Sequence, residues 1–252
     1  MSSYSQIADT LTEALGLRQP PVAVCLANEV PDGVPAWSGP APAGCRFWQE
    51  AASRVFATSA ADHERCAIGQ YTHGLEMSPA ASADLQDALK VFADLTYVRP
   101  EDLAAIPVLQ AKAPFVVYGP LASTPLAPAV VLLIVKASQT LICSEASQQI
   151  EGGLPPAMGR PACAVIPQVS NTGRSALSLG CCGARAYLDI LTDDVALYAV
   201  PGASIAAFAD RVAALARANT VLTAFHQIRR RDIEAGNAPS VQQSLAAMQP
   251  AG

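Results

Sequence analysis

The chain has 252 residues and a net charge of −5, and 51% of its residues are hydrophobic while only 15% are charged. Such a composition excludes a largely disordered chain and supplies enough apolar residues for a substantial core. The acidic balance excludes electrostatic recruitment by nucleic acid or by an anionic membrane surface, so we expect neither as a partner.

The first part of the chain alternates short helices and strands with loops rich in proline and glycine. Ile7, Leu11 and Leu15 recur at helical spacing, and Gly16 is placed to end that helix. A buried strand, PVAVCLA, follows it. A proline- and glycine-rich loop then leads to Cys45, after which RFWQEAA predicts a helix and RVFATS predicts a strand.

The clearest predicted helix is SADLQDALKVFADL, because its apolar residues share one face and its charged residues take the other. The apolar face comprises Leu85, Leu89, Phe92 and Leu95. We expect a structural helix here.

The second half of the chain predicts a sheet with helices packed on it. APFVVYGPL, AVVLLIVK and DVALYAV are predicted strands, and SQTLICSEASQQI, GASIAAFADRVAALARAN and AFHQIRRRDIEAG are predicted helices. The sequence therefore predicts the α/β class, specifically a mixed α+β fold with a central mixed sheet. We expect one domain over residues 1–236 and a loosely ordered tail over residues 237–252.

Targeting and redox signals favour the cytoplasm. The first residues lack the basic start and uninterrupted apolar run of a secretory signal. The longest apolar run, APAVVLLIVKA, is interrupted by Lys136 well short of the roughly 20 residues that cross a bilayer. The chain has seven cysteines, and an odd count does not fit a complete disulfide framework. We expect a cytoplasmic protein with reduced thiols and no membrane partner.

Five of these cysteines are candidates for metal binding because each lies beside glycine, proline or a polar loop. They are Cys45, Cys66, Cys163, Cys181 and Cys182. Cys25 and Cys143 instead lie inside apolar elements, where a thiol behaves as a small hydrophobic side chain. We expect these two to fill the core.

The stretch SLGCCGAR is the most informative of the cysteine segments. Gly180 and Gly183 would let the backbone approach a bulky cofactor closely. Arg185 could meet an anion or the charge of a reduced metal centre. Because adjacent side chains diverge, a metal would take either Cys181 or Cys182 rather than both.

Three further polar residues could serve such a site. His63 precedes Cys66 by three residues, so both could share one helical face. It could bind a metal, form a hydrogen bond with a thiolate or lie in solvent. His73 could share the same face or end the helix. Asn171, in VSNTGR, could supply a polar contact near the site or act as a turn residue.

Four blocks, CRFWQEA, HERCAIGQYTHGL, PACAVIPQVSNTG and SLGCCGAR, resemble those of the domain of unknown function family 169 over residues 14–208. The resemblance implies a ligand set of Cys45, Cys66, Cys163 and Cys181, with Arg185 and the glycines of the last block beside it. It leaves Cys182 at a variable position. The family carries no established activity, so the resemblance implies a fold and a site without a reaction.

Four dispersed cysteines suit a [4Fe–4S] cluster, and zinc is an alternative on the same count. With all four bound, electron transfer to a partner is expected. With three bound, an open iron could act on a small-molecule substrate, with His63 or Arg185 as proton donor or anion clamp. An iron–sulfur-dependent oxidoreductase or lyase is the resulting hypothesis.

Two other functions compete with this hypothesis. One is a non-enzymatic ligand-binding module with structural zinc or no metal. The other is thiol catalysis by Cys66, activated by His63. The sequence contains no nucleophile elbow, phosphate-binding loop or zinc-protease helix, which excludes those common enzyme classes.

Overall fold

The computed structural model describes residues 3–158 and 161–248, and its centre is a seven-stranded sheet. The strands are β1 (Val22–Ala27), β2 (Phe56–Thr58), β3 (Phe115–Pro120), β4 (Val130–Lys136), β5 (Ala157–Met158), β6 (Ala176–Ser178) and β7 (Val195–Pro201). Their order across the sheet is β2-β3-β1-β4-β7-β6-β5. β5 and β6 pair in parallel, and the other neighbours pair antiparallel. The expected α/β class with a mixed sheet is confirmed.

Helices surround this sheet, and several begin or end at the residues expected from capping chemistry. They are α1 (Tyr4–Leu15), α2 (Arg46–Glu50), α3 (Ala67–Thr72), α4 (Pro79–Asp94), α5 (Ala137–Glu151), α6 (Val165–Thr172), α7 (Cys182–Tyr187), α8 (Ile205–Glu234) and α9 (Val241–Ala246). Ser3 caps α1, and Gly16 ends it in the left-handed conformation with φ of 63°. None of the helices in the described ranges is both long and apolar enough to cross a bilayer.

The two faces of the sheet bury two separate cores because side chains alternate along each strand. On β4, Val130 and Leu132 enter the first core, whereas Val131 and Leu133 enter the second. The first core is covered by α2, α6 and α7. The second core is covered by α1, α5 and α8. The sheet therefore divides the interior into two apolar compartments.

The structure differs from the expected elements in three places. The two last predicted helices are one continuous helix, α8, because no glycine or proline interrupts residues 205–234. The apolar face of α4 is only partly covered: Leu85, Leu89 and Phe92 are half-buried, and Leu95 is 69% exposed. The expected tail, residues 237–252, contains α9, and its last four residues lie outside the described ranges.

Candidate functional site

The four cysteines of the predicted ligand set all stand where a helix begins. Cys45, Cys66 and Cys181 are the N-cap residues of α2, α3 and α7. Cys163 lies in the 3-10 helical turn Ala162–Ala164, directly before α6. Each thiol is therefore presented by a loop that enters a helix. We call these four residues the thiol site.

The charges of neighbouring thiols contribute to the raised pKa values of two of the four cysteines, Cys45 and Cys163. The pKa of Cys45 is raised to about 12, first by burial and then by the charges of Cys66 and Cys181. The pKa of Cys163 is raised by burial and then by the charges of the other three thiols. Because such effects weaken with distance, the four sulfurs must share one region of the first core.

Two glycines lie beside the thiol site: a side chain on Gly69 would collide with Cys66, and one on Gly44 would crowd His63. A Cβ atom on Gly69 would lie 2.9 Å from Sγ of Cys66. A Cβ atom on Gly44 would lie 3.2 Å from Nδ1 of His63 and 3.9 Å from Sγ of Cys66. The absence of a side chain at Gly69 and Gly44 lets their backbones pack closely against Cys66 and His63.

His63 lies inside the protein, so its expected alternative of lying in solvent is wrong. The side chain is only 1% exposed, because Phe47 packs against its ring with centroids 4.7 Å apart. Its Nε2 lies 3.1 Å from Oγ1 of Thr58. Burial lowers the pKa of His63 well below its ordinary value, and the nearby His73 lowers it further. The imidazole is therefore neutral at physiological pH.

His73 joins the same buried region from the end of α3. Its Nδ1 donates to the carbonyl of Gly69 over 2.8 Å, and its Nε2 lies 3.5 Å from the hydroxyl of Tyr118. Burial lowers the pKa of His73. The hydroxyl of the preceding Thr72 lies 3.3 Å from Sγ of Cys163. The end of α3 thus places a hydrogen-bond donor against one sulfur of the thiol site.

Several buried polar atoms around the thiol site have no hydrogen-bond partner. Among the described residues, the buried side-chain atoms without one are Trp48 Nε1, Gln49 Oε1, His63 Nδ1 and Gln70 Oε1. All of them fall within residues 48–70, the stretch that runs from α2 past Cys66 into α3. A buried polar atom without a partner costs about 1–3 kcal/mol. Of these atoms, His63 Nδ1 lies beside the thiol site, since the Cβ position of Gly44 is 3.2 Å from it and 3.9 Å from Sγ of Cys66.

Arg185 holds the loop that carries Cys181. Its guanidinium donates to the backbone carbonyls of Leu179, Leu191, Thr192 and Val195. Gly180, with φ of 83°, allows this arrangement, since a Cβ atom there would lie 3.0 Å from Leu191 and 3.2 Å from the Arg185 guanidinium. The structure therefore directs Arg185 toward its own loop, and the loop in turn positions Cys181.

The remaining expected contacts lie at the edge of the site or away from it. Cys182 is exposed, and its sulfur accepts a hydrogen bond from the hydroxyl of Tyr97 over 3.2 Å. Gly183 leaves ordinary space around its position. Asn171 accepts from the amide of Gln110 over 3.0 Å and donates to the carbonyl of Val108 over 2.8 Å. Asn171 thus fastens a neighbouring loop.

The comparison with known families covers the part of the chain that carries these four cysteines. A family model described as "Uncharacterised ArCR" (DUF169) matches residues 10–210. The chain belongs to the DUF169 family. The match spans all four residues of the thiol site and both glycines that line it. No curated protein and no solved structure matches the chain.

The other two buried cysteines of this DUF169 chain lie on the opposite face of the sheet. Cys25 and Cys143 belong to the second core, as expected for core-filling thiols. The sulfur of Cys25 lies 3.3 Å from Oγ1 of Thr124. Burial raises the pKa of Cys143 to about 12. The sheet therefore separates the thiol site from the thiols that only pack.

The donor set of the thiol site suits thiophilic metals. In residues 3–158 and 161–248, no three Cys, His, Asp or Glu side chains converge as a group around a single metal ion. In a [4Fe–4S] cluster each thiolate binds a different iron, so the sulfurs stand farther apart than around one ion. Thiolates are also the preferred ligands of zinc. The side-chain chemistry therefore suits a cluster that spreads its thiolate ligands over several irons, whereas a single zinc ion would need three or more ligands to converge, which the described residues do not show.

Sequence reasoning missed four residues that shape the site: Gly44, Gly69, Thr72 and Tyr118. Two of them carried a local signal, since Gly44 adjoins Cys45 and Gly69 follows a cysteine by three residues in CAIG. Tyr118 lies on β3, where its pKa is raised by burial and by the charges of three thiols. No periodicity in the sequence links that strand to the cysteines.

Proposed function

We propose that this DUF169 chain holds a [4Fe–4S] cluster on Cys45, Cys66, Cys163 and Cys181 and uses it for redox or Lewis-acid chemistry on a small molecule. One observation carries the proposal. Thiols from four separate segments meet in the first core, while Cys25 and Cys143 are kept in the second.

The protein's own residues would prepare the site for such a cluster. Burial in the first core excludes water and strengthens the electrostatic contribution of nearby groups. The amide of Ala184 donates to the sulfur of Cys181 over 3.4 Å, and the Thr72 hydroxyl lies beside the sulfur of Cys163. Hydrogen bonds to ligating sulfurs tune the potential of an iron–sulfur cluster. A bound cluster would supply electron transfer or an electrophilic iron.

The exposure of the four thiols indicates where a substrate or an electron-transfer partner would reach the cluster. Cys45 and Cys163 are buried, whereas Cys66 and Cys181 are half-buried. The side defined by the half-buried pair is therefore the open one. An oxidoreductase or lyase would bind its small molecule there, and an electron carrier would dock on the same side.

Arg185 and His63 have different parts in this proposal. Arg185 is a positioning residue, because its donors are taken up by backbone carbonyls that hold the Cys181 loop. His63 is a buried polar side chain close to Cys66, since a Cβ atom on Gly44 would lie 3.2 Å from its Nδ1 and 3.9 Å from Sγ of Cys66. Gly180 supports the loop by accepting a conformation that other residues rarely adopt.

Cysteine substitutions test the proposal. Cys45→Ser, Cys66→Ser, Cys163→Ser and Cys181→Ser should each lose most of the iron and acid-labile sulfide of the protein purified without oxygen. Cys182→Ser is the matched control for Cys181→Ser, since it changes the adjacent thiol, which is exposed. It should keep both iron and sulfide. Equal iron content in all five variants would contradict the proposal. A stoichiometric zinc content that depends on the same four thiols would favour the alternative, a binding module with structural zinc.

A further inference from the structure

The hydroxyl of Thr72 has a single proton to donate and three neighbours that compete for it. The side chain is fully buried, and its oxygen lies 3.0 Å from the carbonyl of Gly69, 3.3 Å from Sγ of Cys163 and 3.4 Å from Nδ1 of His73. That nitrogen carries a proton of its own, because it lies 2.8 Å from the same carbonyl and a carbonyl can only accept. The proton of Thr72 therefore goes either to Gly69 or to Cys163.

The charge on the sulfur of Cys163 decides between these two acceptors. The sulfur of a protonated thiol accepts weakly, so in the metal-free protein the hydroxyl donates to the carbonyl of Gly69, three residues earlier in the chain. A cysteine binds a metal as the thiolate, and a hydrogen bond to a charged acceptor is about twice as strong as one between neutral groups. Metal binding by Cys163 therefore draws the proton of Thr72 toward the sulfur.

The carbonyl of Gly69 keeps a hydrogen bond when Thr72 turns to the sulfur. Nδ1 of His73 continues to donate to it over 2.8 Å. The other ring nitrogen, Nε2, lies 3.5 Å from the hydroxyl of Tyr118, which can donate to it, so the ring stays in the same tautomer. The end of α3 can thus release the Thr72 proton without leaving a buried acceptor unpaired.

We propose that Thr72 is a positioning residue that acts through Cys163 and raises the reduction potential of the cluster by donating its hydroxyl proton to that sulfur. The inference rests on the proposed function, because it requires a cluster on these thiols. Reduction by an electron donor adds one electron to the cluster, while Thr72 keeps its proton. The sulfur becomes more negative, and a hydrogen bond to a more negative acceptor is stronger. The hydroxyl therefore stabilises the reduced state more than the oxidised state.

The test measures the reduction potential of the full chain, purified without oxygen, by titration with dithionite and electron paramagnetic resonance of the reduced cluster. Thr72→Val keeps the branched shape without the hydroxyl, so we expect the equilibrium constant for reduction to fall about tenfold, a potential about 59 mV lower. Thr72→Ser keeps the hydroxyl and should stay near the wild-type potential. Thr58→Val is the matched control and should also keep it, because its buried hydroxyl contacts His63 and a carbonyl rather than a sulfur.

Each other outcome decides the question. An unchanged potential in Thr72→Val, or an equal fall in Thr72→Val and Thr72→Ser, overturns the role of the hydroxyl and leaves the proposed function standing. If Thr72→Val does not retain the cluster, Thr72→Ala and Thr72→Ser replace the comparison, since they differ only in the hydroxyl. The alanine variant should then have the lower potential, and equal potentials overturn the inference. A wild-type chain that holds zinc or no metal, even after reconstitution, overturns both proposals, because it has no cluster potential to set.

Discussion

At the scale of single residues, the absence of a side chain at Gly69 is as important for the thiol site as the cysteine side chains themselves. Gly69 lies within α3, where alanine would ordinarily be the better helix former. Its position against Sγ of Cys66 reverses that preference, because a Cβ atom there would lie 2.9 Å from the sulfur. The presence of glycine at position 69 is therefore explained by the close approach of the Cys66 sulfur and not by helix propensity.

Gly69→Ala should therefore displace the Cys66 thiol and weaken metal retention. Overpacking of this kind costs about 1–3 kcal/mol, so we expect a several-fold lower iron content per chain after desalting. Gly183→Ala is the matched control, since its Cβ atom would meet nothing closer than 3.8 Å. That variant should keep its iron. Equal retention in the two variants would show that the close contact at Gly69 is not important.

Thiol labelling distinguishes the packed cysteines from the accessible one. Cys182 is exposed, whereas Cys143 is fully buried and its pKa is raised to about 12. A thiol with that pKa is only about one part in ten thousand thiolate at pH 8, and this fraction increases about tenfold per pH unit up to the pKa. In the folded protein, iodoacetamide at pH 8 should modify Cys182 rapidly and Cys143 only after unfolding, as followed by mass spectrometry. Comparable rates at both positions under native conditions would refute this.

Among the structural elements, α4 is only loosely tied to the rest of the molecule. No residue from 67 to 114 appears in either core, and Ala81 is the buried residue of α4. The segment is held instead by a few contacts, such as the amide of Leu109 on the carbonyl of Thr72 and the hydroxyl of Tyr97 on Cys182. These contacts place the segment beside the thiol site.

Hydrogen exchange should show that α4 opens independently of the sheet. Elements with few buried apolar contacts open locally at a lower free energy than the global unfolding. Peptides from residues 79–94 should exchange well before peptides from β1, β4 and β7, whose residues lie in both cores. Mass spectrometry of quenched, digested samples resolves the two classes. Protection of α4 equal to that of β4 would contradict this view of the segment.

The separation of the two cores by the sheet gives a second prediction for the elements. The hydroxyl of Tyr198 on β7 lies 2.8 Å from Oγ of Ser147 and donates to the carbonyl of Cys143 over 3.0 Å, within the second core. Tyr198→Phe should reduce the free energy of unfolding by about 1–3 kcal/mol, because buried partners lose their hydrogen bonds. Iron content should stay unchanged, since the thiol site lies on the other face. Denaturant unfolding and metal analysis measure both effects, and a loss of iron would argue against independent compartments.

At the scale of the whole molecule, local patterns in the sequence predicted the central elements. The apolar runs of β1, β3, β4 and β7 and the capping glycine of α1 identified strands and a helix, because burial on both faces and a left-handed turn leave clear signatures. The strand order was not predictable, since it depends on contacts between residues far apart in the chain. The two-residue strand β5 was too short to leave a pattern.

The candidate site was predictable in its thiols and not in its surroundings. Glycine, proline and polar-loop flanks singled out five cysteines, at positions 45, 66, 163, 181 and 182, and the family resemblance reduced them to the first four, all of which lie in or against the first core. The burial of His63 and the direction of Arg185 depend on tertiary packing, which a local pattern does not encode. From the sequence we expected His63 to share a helical face with Cys66 and Arg185 to meet an anion. Both expectations came from neighbours along the chain, which do not determine how side chains pack in the folded protein.

The most direct test of the account is the iron and acid-labile sulfide content of the wild-type chain purified without oxygen, together with its visible spectrum. The account predicts a brown protein with about four irons and four sulfides per chain. A colourless protein that carries zinc or no metal, even after attempted reconstitution with iron and sulfide, would contradict it.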